Sequence, residues 1–211
     1  MQDVQVATKE ITQPGQANHH ASRPAVDRRL LSGKGLLLWA ATLLAFPLAG
    51  LAGRAIAGPV DAVWTAILAG AVAGLVLGAA QWLVLRRVGI DTRWILATAG
   101  GLAVGLGLAF AIFGYGDSVG DLAVVGAVAG LGIGIAQWPL LHGRVDASFA
   151  WIPATSAAWA LGWAVTTAIG VDPDDRWATY GLSGATVTTV IMGVVLWSLR
   201  KRAVAAKVVL V

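Results

Sequence analysis

The sequence predicts an all-α integral membrane protein with six transmembrane helices. Three observations support this: the composition, a series of apolar runs, and the placement of the charges. Of the 211 residues, 57% are hydrophobic and only 12% are charged, whereas a soluble domain carries roughly 25% charged residues. The shortfall indicates a large surface that never meets water. Helices are the expected spanning elements, because the strands of a membrane barrel would alternate polar and apolar residues.

Six apolar runs follow one another, each close to the ~20 residues that a helix needs to cross ~30 Å of hydrocarbon. No run contains Asp, Glu, Lys, Arg or His, and the connections are short. The runs are approximately Gly35–Gly53, Ala62–Leu85, Trp94–Tyr115, Leu122–Leu141, Phe149–Val171 and Trp177–Leu199. We therefore expect a membrane domain over 35–199, a disordered basic tail over 1–34 and a short basic tail over 200–211.

The distribution of Lys and Arg predicts the orientation. If the six runs all span, 13 of the 15 basic residues lie on one side, and only Arg54 and Arg176 lie on the other. Basic loops stay in the cytoplasm, so both termini are expected there, in the cell (inner) membrane. A competing interpretation is a twin-arginine signal peptide, with Arg28-Arg29 before an apolar stretch and Ala55-Ile56-Ala57 after it as the cleavage site. The internal repeat favours a retained first helix.

An internal repeat divides the chain. The segment 70–75, Gly-Ala-Val-Ala-Gly-Leu, recurs 56 residues later at 126–131, and each copy continues through another glycine to Ala-Gln-Trp. Downstream, Trp94 and Thr98 match Trp151 and Thr155, and the first and last runs carry looser versions. The sequence therefore predicts three helical hairpins of the same orientation, a parallel repeat. Their approximate extents are 35–85, 94–141 and 149–199.

The repeated glycines predict tight helix packing. At about 100° per residue, glycines four positions apart share one face with the glutamine that follows them. Small residues let a neighbouring helix approach closely, and a buried amide can hydrogen-bond across the contact. The predicted packing residues are Gly70, Gly74, Gly78, Gly126, Gly130 and Gly134. Gln81 and Gln137 are either packing amides or the lining of a polar site or route, and Leu196 holds the corresponding place in the last run.

The tryptophans fall into two groups. Six at the basic ends of the runs predict an aromatic belt at the membrane surface: Trp39, Trp82, Trp94, Trp138, Trp151 and Trp197. Trp159 and Trp163 instead lie in mid-run, one helical turn apart, and Thr166 continues their face. These three either face lipid and packed helices or mark a ligand-binding stripe, together with hydroxyls such as Ser183 and Thr188.

The sequence narrows the function only by class. Ion-coupled transporters place ionisable groups in the membrane, and none lies in these runs. His142 and Asp146 lack a nucleophile, and His19 and His20 lack a third metal ligand. We expect no enzyme, cofactor, metal site or nucleic-acid partner, with a membrane enzyme a distant third class. A non-catalytic scaffold or accessory subunit is favoured, whose partners are the bilayer and other membrane proteins or a homo-oligomer. The alternative is a passive pathway or binding site for a small neutral or apolar molecule.

Overall fold

In the computed structural model, the chain is described over residues 33–145, 147–170, 179 and 181–209, with side chains as far as Leu199. All regular structure in these ranges is helical. The helices are α1 Gly33–Ala57, α2 Val63–Leu85, α3 Arg93–Phe113, α4 Val119–Leu141, α5 Trp151–Ala168 and α6 Leu182–Val209. The predicted tail as far as residue 32, with its two histidines, lies outside the described residues, as do Asp146, Val171 and Trp177.

Five of the helices are long and apolar enough to cross a membrane: α1, α2, α3, α4 and α6 as far as Leu199. The helix outside this set is α5, whose 18 residues include three tryptophans and four hydroxyl side chains. The described chain therefore has five candidate spans where the sequence predicts six. Helix α6 also continues beyond the predicted end at Leu199, because Arg, Lys and Ala favour helix.

A short stretch of α1 is wound more tightly than an α-helix. A 3-10 segment, Thr42–Leu44, joins its two α-helical parts. Pro47 has no N–H to donate to the carbonyl of Leu43, so the regular helical hydrogen bonding is broken at this point. The hydroxyl of Thr42 donates to the carbonyl oxygen of Trp39 at 2.6 Å. A 3-10 turn brings residues three apart onto one side, which suits this Trp–Thr pair.

The helices form a closed ring. Each helix packs against the helices before and after it in the chain, and α6 returns to contact α1. Glycines mediate the close approaches. A Cβ added at Gly74 would lie 2.5 Å from the Cα of Ala99, and one at Gly130 would lie 2.5 Å from the carbonyl oxygen of Thr155. Another face of α3 packs closely against α4 through Gly101, which the sequence analysis did not single out.

The loops between α2 and α3 and between α4 and α5 lie at the same end of the bundle as Lys34, here named the basic end. Arg144 in the second loop donates to the carbonyl oxygen of Gly89 in the first, at 2.5 Å. Gly89 has a φ of 82°, a left-handed conformation that favours glycine. Beside it, the backbone N–H of Arg93 donates to Asp91 and lowers the pKa of that carboxyl below its ordinary value. These contacts tie the two loops together.

Candidate functional site

The two repeated glutamines accept hydrogen bonds from tryptophans on the next helix. The indole N–H of Trp94 donates to Oε1 of Gln81 at 3.1 Å, and that of Trp151 donates to Oε1 of Gln137 at 2.9 Å. Both indole rings are fully buried, and their centroids lie 6.1 Å apart. The α2–α3 and α4–α5 contacts thus carry the same polar pair near the basic end.

Gln137 belongs to a longer network. Its amide Nε2 donates to the hydroxyl of Thr98 at 2.8 Å, and that hydroxyl donates to the carbonyl oxygen of Trp94 at 2.8 Å. Gln137 is 0% exposed. Its amide oxygen accepts from Trp151 and its amide nitrogen donates to Thr98, so both ends of the amide are bonded within the protein. Thr155 repeats the pattern on α5 by donating to the carbonyl oxygen of Trp151. A polar network therefore crosses α3, α4 and α5.

The contact between α6 and α1 carries a different bond. Leu196 offers no acceptor where the other two pairs have glutamine. The indole N–H of Trp39 donates instead to the backbone carbonyl oxygen of Thr189 at 2.9 Å. The hydroxyl of Thr189 is buried and has no hydrogen-bond partner in the described part of the chain. The α6–α1 contact therefore has a tryptophan donor, as the other two contacts do, but its acceptor is a backbone carbonyl oxygen and not a side-chain amide.

A small cavity lies at the centre of the ring. Its free space is about 10 Å³, which is room for roughly one water molecule. Side chains from all six helices line it: Trp39, Thr42, Phe46, Leu77, Gln81, Thr98, Ile133, Gln137, Trp159, Thr188, Thr189 and Met192. The buried hydroxyl of Thr189 is among them, and a single water would satisfy it. The described residues thus surround a small pocket whose lining mixes polar and apolar side chains.

The structure corrects the predicted aromatic belt for half of its members. Trp39, Trp94 and Trp151 belong to the core. Each buries its ring because the indole N–H has an acceptor on a neighbouring helix. The tryptophans at the ends of α2, α4 and α6 remain partly exposed, and the guanidinium of Arg86 lies 5.3 Å from the ring centroid of Trp82. The belt prediction is therefore wrong for Trp39, Trp94 and Trp151.

The mid-helix residues Trp159, Trp163 and Thr166 are buried between helices. A Cβ added at Gly126 would meet the backbone of Trp159 at 2.6 Å, so the tryptophans occupy the space that this glycine leaves. The hydroxyl of Thr166 accepts from the backbone N–H of Gly184 at 3.1 Å and lies 3.3 Å from the hydroxyl of Ser183.

These three residues are not part of one site. Trp159 lines the central cavity. Trp163 borders a separate space of about 10 Å³ toward the opposite end. Thr166 takes part in the contact between α5 and α6, as does Thr188, whose hydroxyl donates to the carbonyl oxygen of Ala158 at 2.9 Å. The structure therefore brings Trp159 together with the glutamines and leaves Trp163 and Thr166 apart from them.

A larger space opens on the outside of the bundle, between α1 and α6. This seam groove has a volume of about 440 Å³. Its lining is almost wholly apolar: Leu36, Trp39, Ala40, Thr189, Val190, Gly193, Val194 and Trp197. Trp39 and Thr189 line both the groove and the central cavity. These two residues therefore form the wall between them.

The sequence analysis missed the threonines of the polar network. Thr98 and Thr155 each lie four residues after a tryptophan and bond to its carbonyl oxygen. The signal was present, because both Trp–Thr pairs belong to the internal repeat. It was not used because a threonine in a membrane helix commonly satisfies itself on its own helix. Nothing in the sequence showed that the hydroxyl of Thr98 also accepts from another helix.

The described residues hold no group of three His, Asp or Glu side chains that could bind a metal ion. The ring of His142 packs edge-on against Trp138 at 5.5 Å. No family model, curated protein or solved structure matches this chain. The fold and the site define a class: a multi-helix protein with several helices able to cross a membrane and a buried polar layer at its core.

Proposed function

We propose that this protein is a non-catalytic scaffold or accessory subunit of the cell membrane. The observation that carries the proposal is the use of its repeated polar groups. The carbonyl oxygens of Gln81 and Gln137 both accept from buried indoles, and the amide of Gln137 also donates to Thr98. Polar groups that are bonded to one another hold helices in fixed positions, which is what a scaffold requires.

A transport route would need the opposite arrangement. A solute that enters a low-dielectric passage must replace its lost water contacts with contacts to protein groups. Gln137 has no exposed surface to offer. The buried rings of Trp94 and Trp151 lie side by side, with centroids 6.1 Å apart. These features favour a static core.

The proposal includes six spans, arranged as three hairpins with both termini cytoplasmic. Helix α5 is the sixth span. It packs between α4 and α6, and its 18 residues rise about 27 Å at 1.5 Å each. Its tryptophans and hydroxyls make it less apolar, but its hydroxyls all have hydrogen-bond partners: Thr155 and Thr167 bond within α5, and Ser156 and Thr166 bond to the neighbouring helices. The paired Trp–Gln bonds support the repeat.

The orientation can be tested by cysteine labelling, because the chain has no native cysteine. Asp117 and Arg87 are exposed in loops at opposite ends of the bundle. In intact cells, Asp117→Cys is expected to react with an impermeant maleimide, and Arg87→Cys is expected to react only after the membrane is broken. The reverse pattern would contradict the proposed orientation. Equal labelling of both in intact cells would contradict membrane spanning.

The scaffold role predicts a partner at a fixed ratio. We expect native mass spectrometry of complexes released gently from membranes to show the chain bound to a second membrane protein or to further copies of itself. Chemical cross-linking before solubilisation is the control for association that arises in detergent. A chain that is monomeric by both measurements would contradict the scaffold role.

The central cavity favours a second candidate, a pathway for a small neutral molecule. The cavity is lined by Gln81, Thr98 and Thr189 together with apolar side chains. It lies at the centre of the ring, where a route across the membrane would pass. Movement of Trp39 would connect it to the seam groove, because this side chain borders both spaces.

Flux measurements separate the two candidates. We expect proteoliposomes to show no more flux of water, glycerol or urea than protein-free liposomes, because the described core holds no open passage. Gln81→Leu is the informative variant, since the half-buried Gln81 makes a single interhelical bond in the structure. Solute-selective flux that is present in the wild type and lost in a folded Gln81→Leu protein would overturn the scaffold role in favour of the pathway.

A further inference from the structure

The contact between α6 and α1 departs from the two contacts that it resembles. Gly78 and Gly134 each precede a glutamine by three residues, and a Cβ at either would lie 2.9 Å from a Cα of the next helix. Gly193 precedes Leu196 by the same spacing. A Cβ there would meet only the indole ring of Trp39, at 2.9 Å. The ring thus stands between α6 and α1 and holds the seam groove open.

The groove faces outward, toward the surface that would contact lipid. Trp39 and Gly193 form its floor, and exposed apolar side chains such as Leu36, Val190 and Val194 form its rims. It runs along the first two turns of α1 and the turns of α6 before Leu199. It therefore lies in the half of the bundle nearest the basic end, parallel to the helices.

The volume of the groove indicates what kind of molecule can occupy it. Two turns of a helix with a diameter of 10–12 Å fill on the order of 1,000 Å³. The groove holds about 440 Å³, less than half of that volume. The groove is therefore too small to enclose a whole transmembrane helix, whereas a single hydrocarbon chain can lie along it. The lining, apolar apart from Thr189, matches such a chain.

Basic residues at the same end as the groove indicate which lipid head group it favours. Lys34 is exposed two residues before Leu36, at the start of α1. At the same end, the sequence after Leu199 reads Arg-Lys-Arg over 200–202. Basic residues beside a membrane surface attract anionic lipids. We propose that the seam groove binds one acyl chain of an anionic phospholipid, whose phosphate is attracted by Lys34 and by the basic sequence that follows Leu199.

The test is native mass spectrometry of the full chain in detergent, titrated with dioleoyl phosphatidylglycerol or with zwitterionic dioleoyl phosphatidylcholine. Val194→Trp and, independently, Val190→Trp fill the groove. Val104→Trp is the matched control, because Val104 on α3 is 58% exposed, compared with 56% for Val194 and 58% for Val190. Lys34→Gln combined with glutamine at 200–202 removes the charge. Circular dichroism and gel filtration select the folded variants.

We expect one phosphatidylglycerol retained per wild-type chain, bound at least tenfold more tightly than phosphatidylcholine. Either groove variant should weaken this binding at least tenfold, and Val104→Trp should leave it unchanged. The charge variant should bind both lipids equally. Excess glycerol phosphate that displaced the lipid completely would overturn the role of the acyl chain. Equal binding of both lipids by the wild type, or equal loss in Val194→Trp and Val104→Trp, would overturn the proposal.

The inference rests on the membrane placement proposed above, and the two can fail separately. Cysteine labelling reports the placement of the loops and does not depend on the groove. If labelling supports six spans and lipid binding is unselective, only the groove proposal fails. If Val194→Trp converts a dimer to a monomer without changing lipid binding, the groove is a contact between copies of the chain, and the lipid proposal is overturned.

Discussion

Replacing Gly74 with leucine is expected to destabilise the protein by more than about 3 kcal/mol, or to prevent folding. The reason is the absence of space between α2 and α3. A Cβ at this position would lie 2.5 Å from the Cα of Ala99 and 2.8 Å from the carbonyl oxygen of Thr98. Both atoms belong to backbone, which cannot rotate away as a side chain can. The helices must separate, and overpacking typically costs about 1–3 kcal/mol even where neighbours can adjust.

Gly100→Leu is the matched control for this substitution. Gly100 lies in the middle of α3, on its exposed side, and a Cβ there would have nothing within 4 Å. We expect Gly100→Leu to be neutral or slightly stabilising, because leucine favours helix by up to about 1 kcal/mol over glycine. Free energies of unfolding in mixed detergent micelles would compare the two variants. Equal values would contradict close packing at Gly74.

The apolar runs were enough to predict the helices, because the thickness of a bilayer sets their length and the exclusion of charge sets their bounds. Helix α2 begins at Val63 where Ala62 was predicted, and α4 ends at Leu141 as predicted. Helix α5 is harder to identify as a membrane span from its composition. Its hydroxyls and tryptophans lower its apolarity, and the hydrogen bonds that satisfy the hydroxyls, within α5 and to α4 and α6, are not visible in a hydropathy profile. Length and composition alone therefore do not count it as a span.

The candidate site was predictable only in part. The repeat singled out Gln81 and Gln137 but did not show what they bond to, because helical periodicity gives the face of a residue and not its partner. The tryptophans at the starts of helices were assigned to the membrane surface by their position. In the structure, Trp94 and Trp151 turn inward because each finds an amide acceptor. Such pairings depend on how three helices meet, which the sequence of one helix does not contain.

The seam groove lay beyond sequence reasoning for a related reason. Gly193 has the same spacing as Gly78 and Gly134, so the pattern predicts a third close contact. The third copy differs at three positions, with Ala185 and Thr189 in place of glycine and Leu196 in place of glutamine. Because Leu196 provides no acceptor, the indole of Trp39 bonds to the backbone of Thr189 and occupies the space over Gly193. Changes at a few positions of the repeat thus accompany a different helix contact.

The presence of Leu196 in the third copy suggests that leucine is acceptable at the two glutamines. The contacts of Gln137 argue against this for that position. At the α6–α1 contact, Trp39 has found another acceptor, whereas Trp151 has only Gln137. Gln137→Leu would leave a fully buried indole N–H without an acceptor and remove the donor to the Thr98 hydroxyl. We expect a cost of about 2 kcal/mol, since an unsatisfied buried group costs about 1–3 kcal/mol.

A double-mutant cycle isolates the bond from the loss of packing. Trp151→Phe removes the orphaned N–H, so in the Gln137→Leu background it should cost less than it costs in the wild type, with a coupling of about 1 kcal/mol. Gln81→Leu is the comparison, because it also leaves a buried indole N–H without its acceptor but removes one interhelical bond where Gln137→Leu removes two. We expect that variant to cost less than Gln137→Leu. Free energies of unfolding are measured in mixed micelles for the four proteins of the cycle and for Gln81→Leu. If Gln137→Leu and Gln81→Leu cost the same and the cycle shows no coupling, the buried network does not stabilise the core.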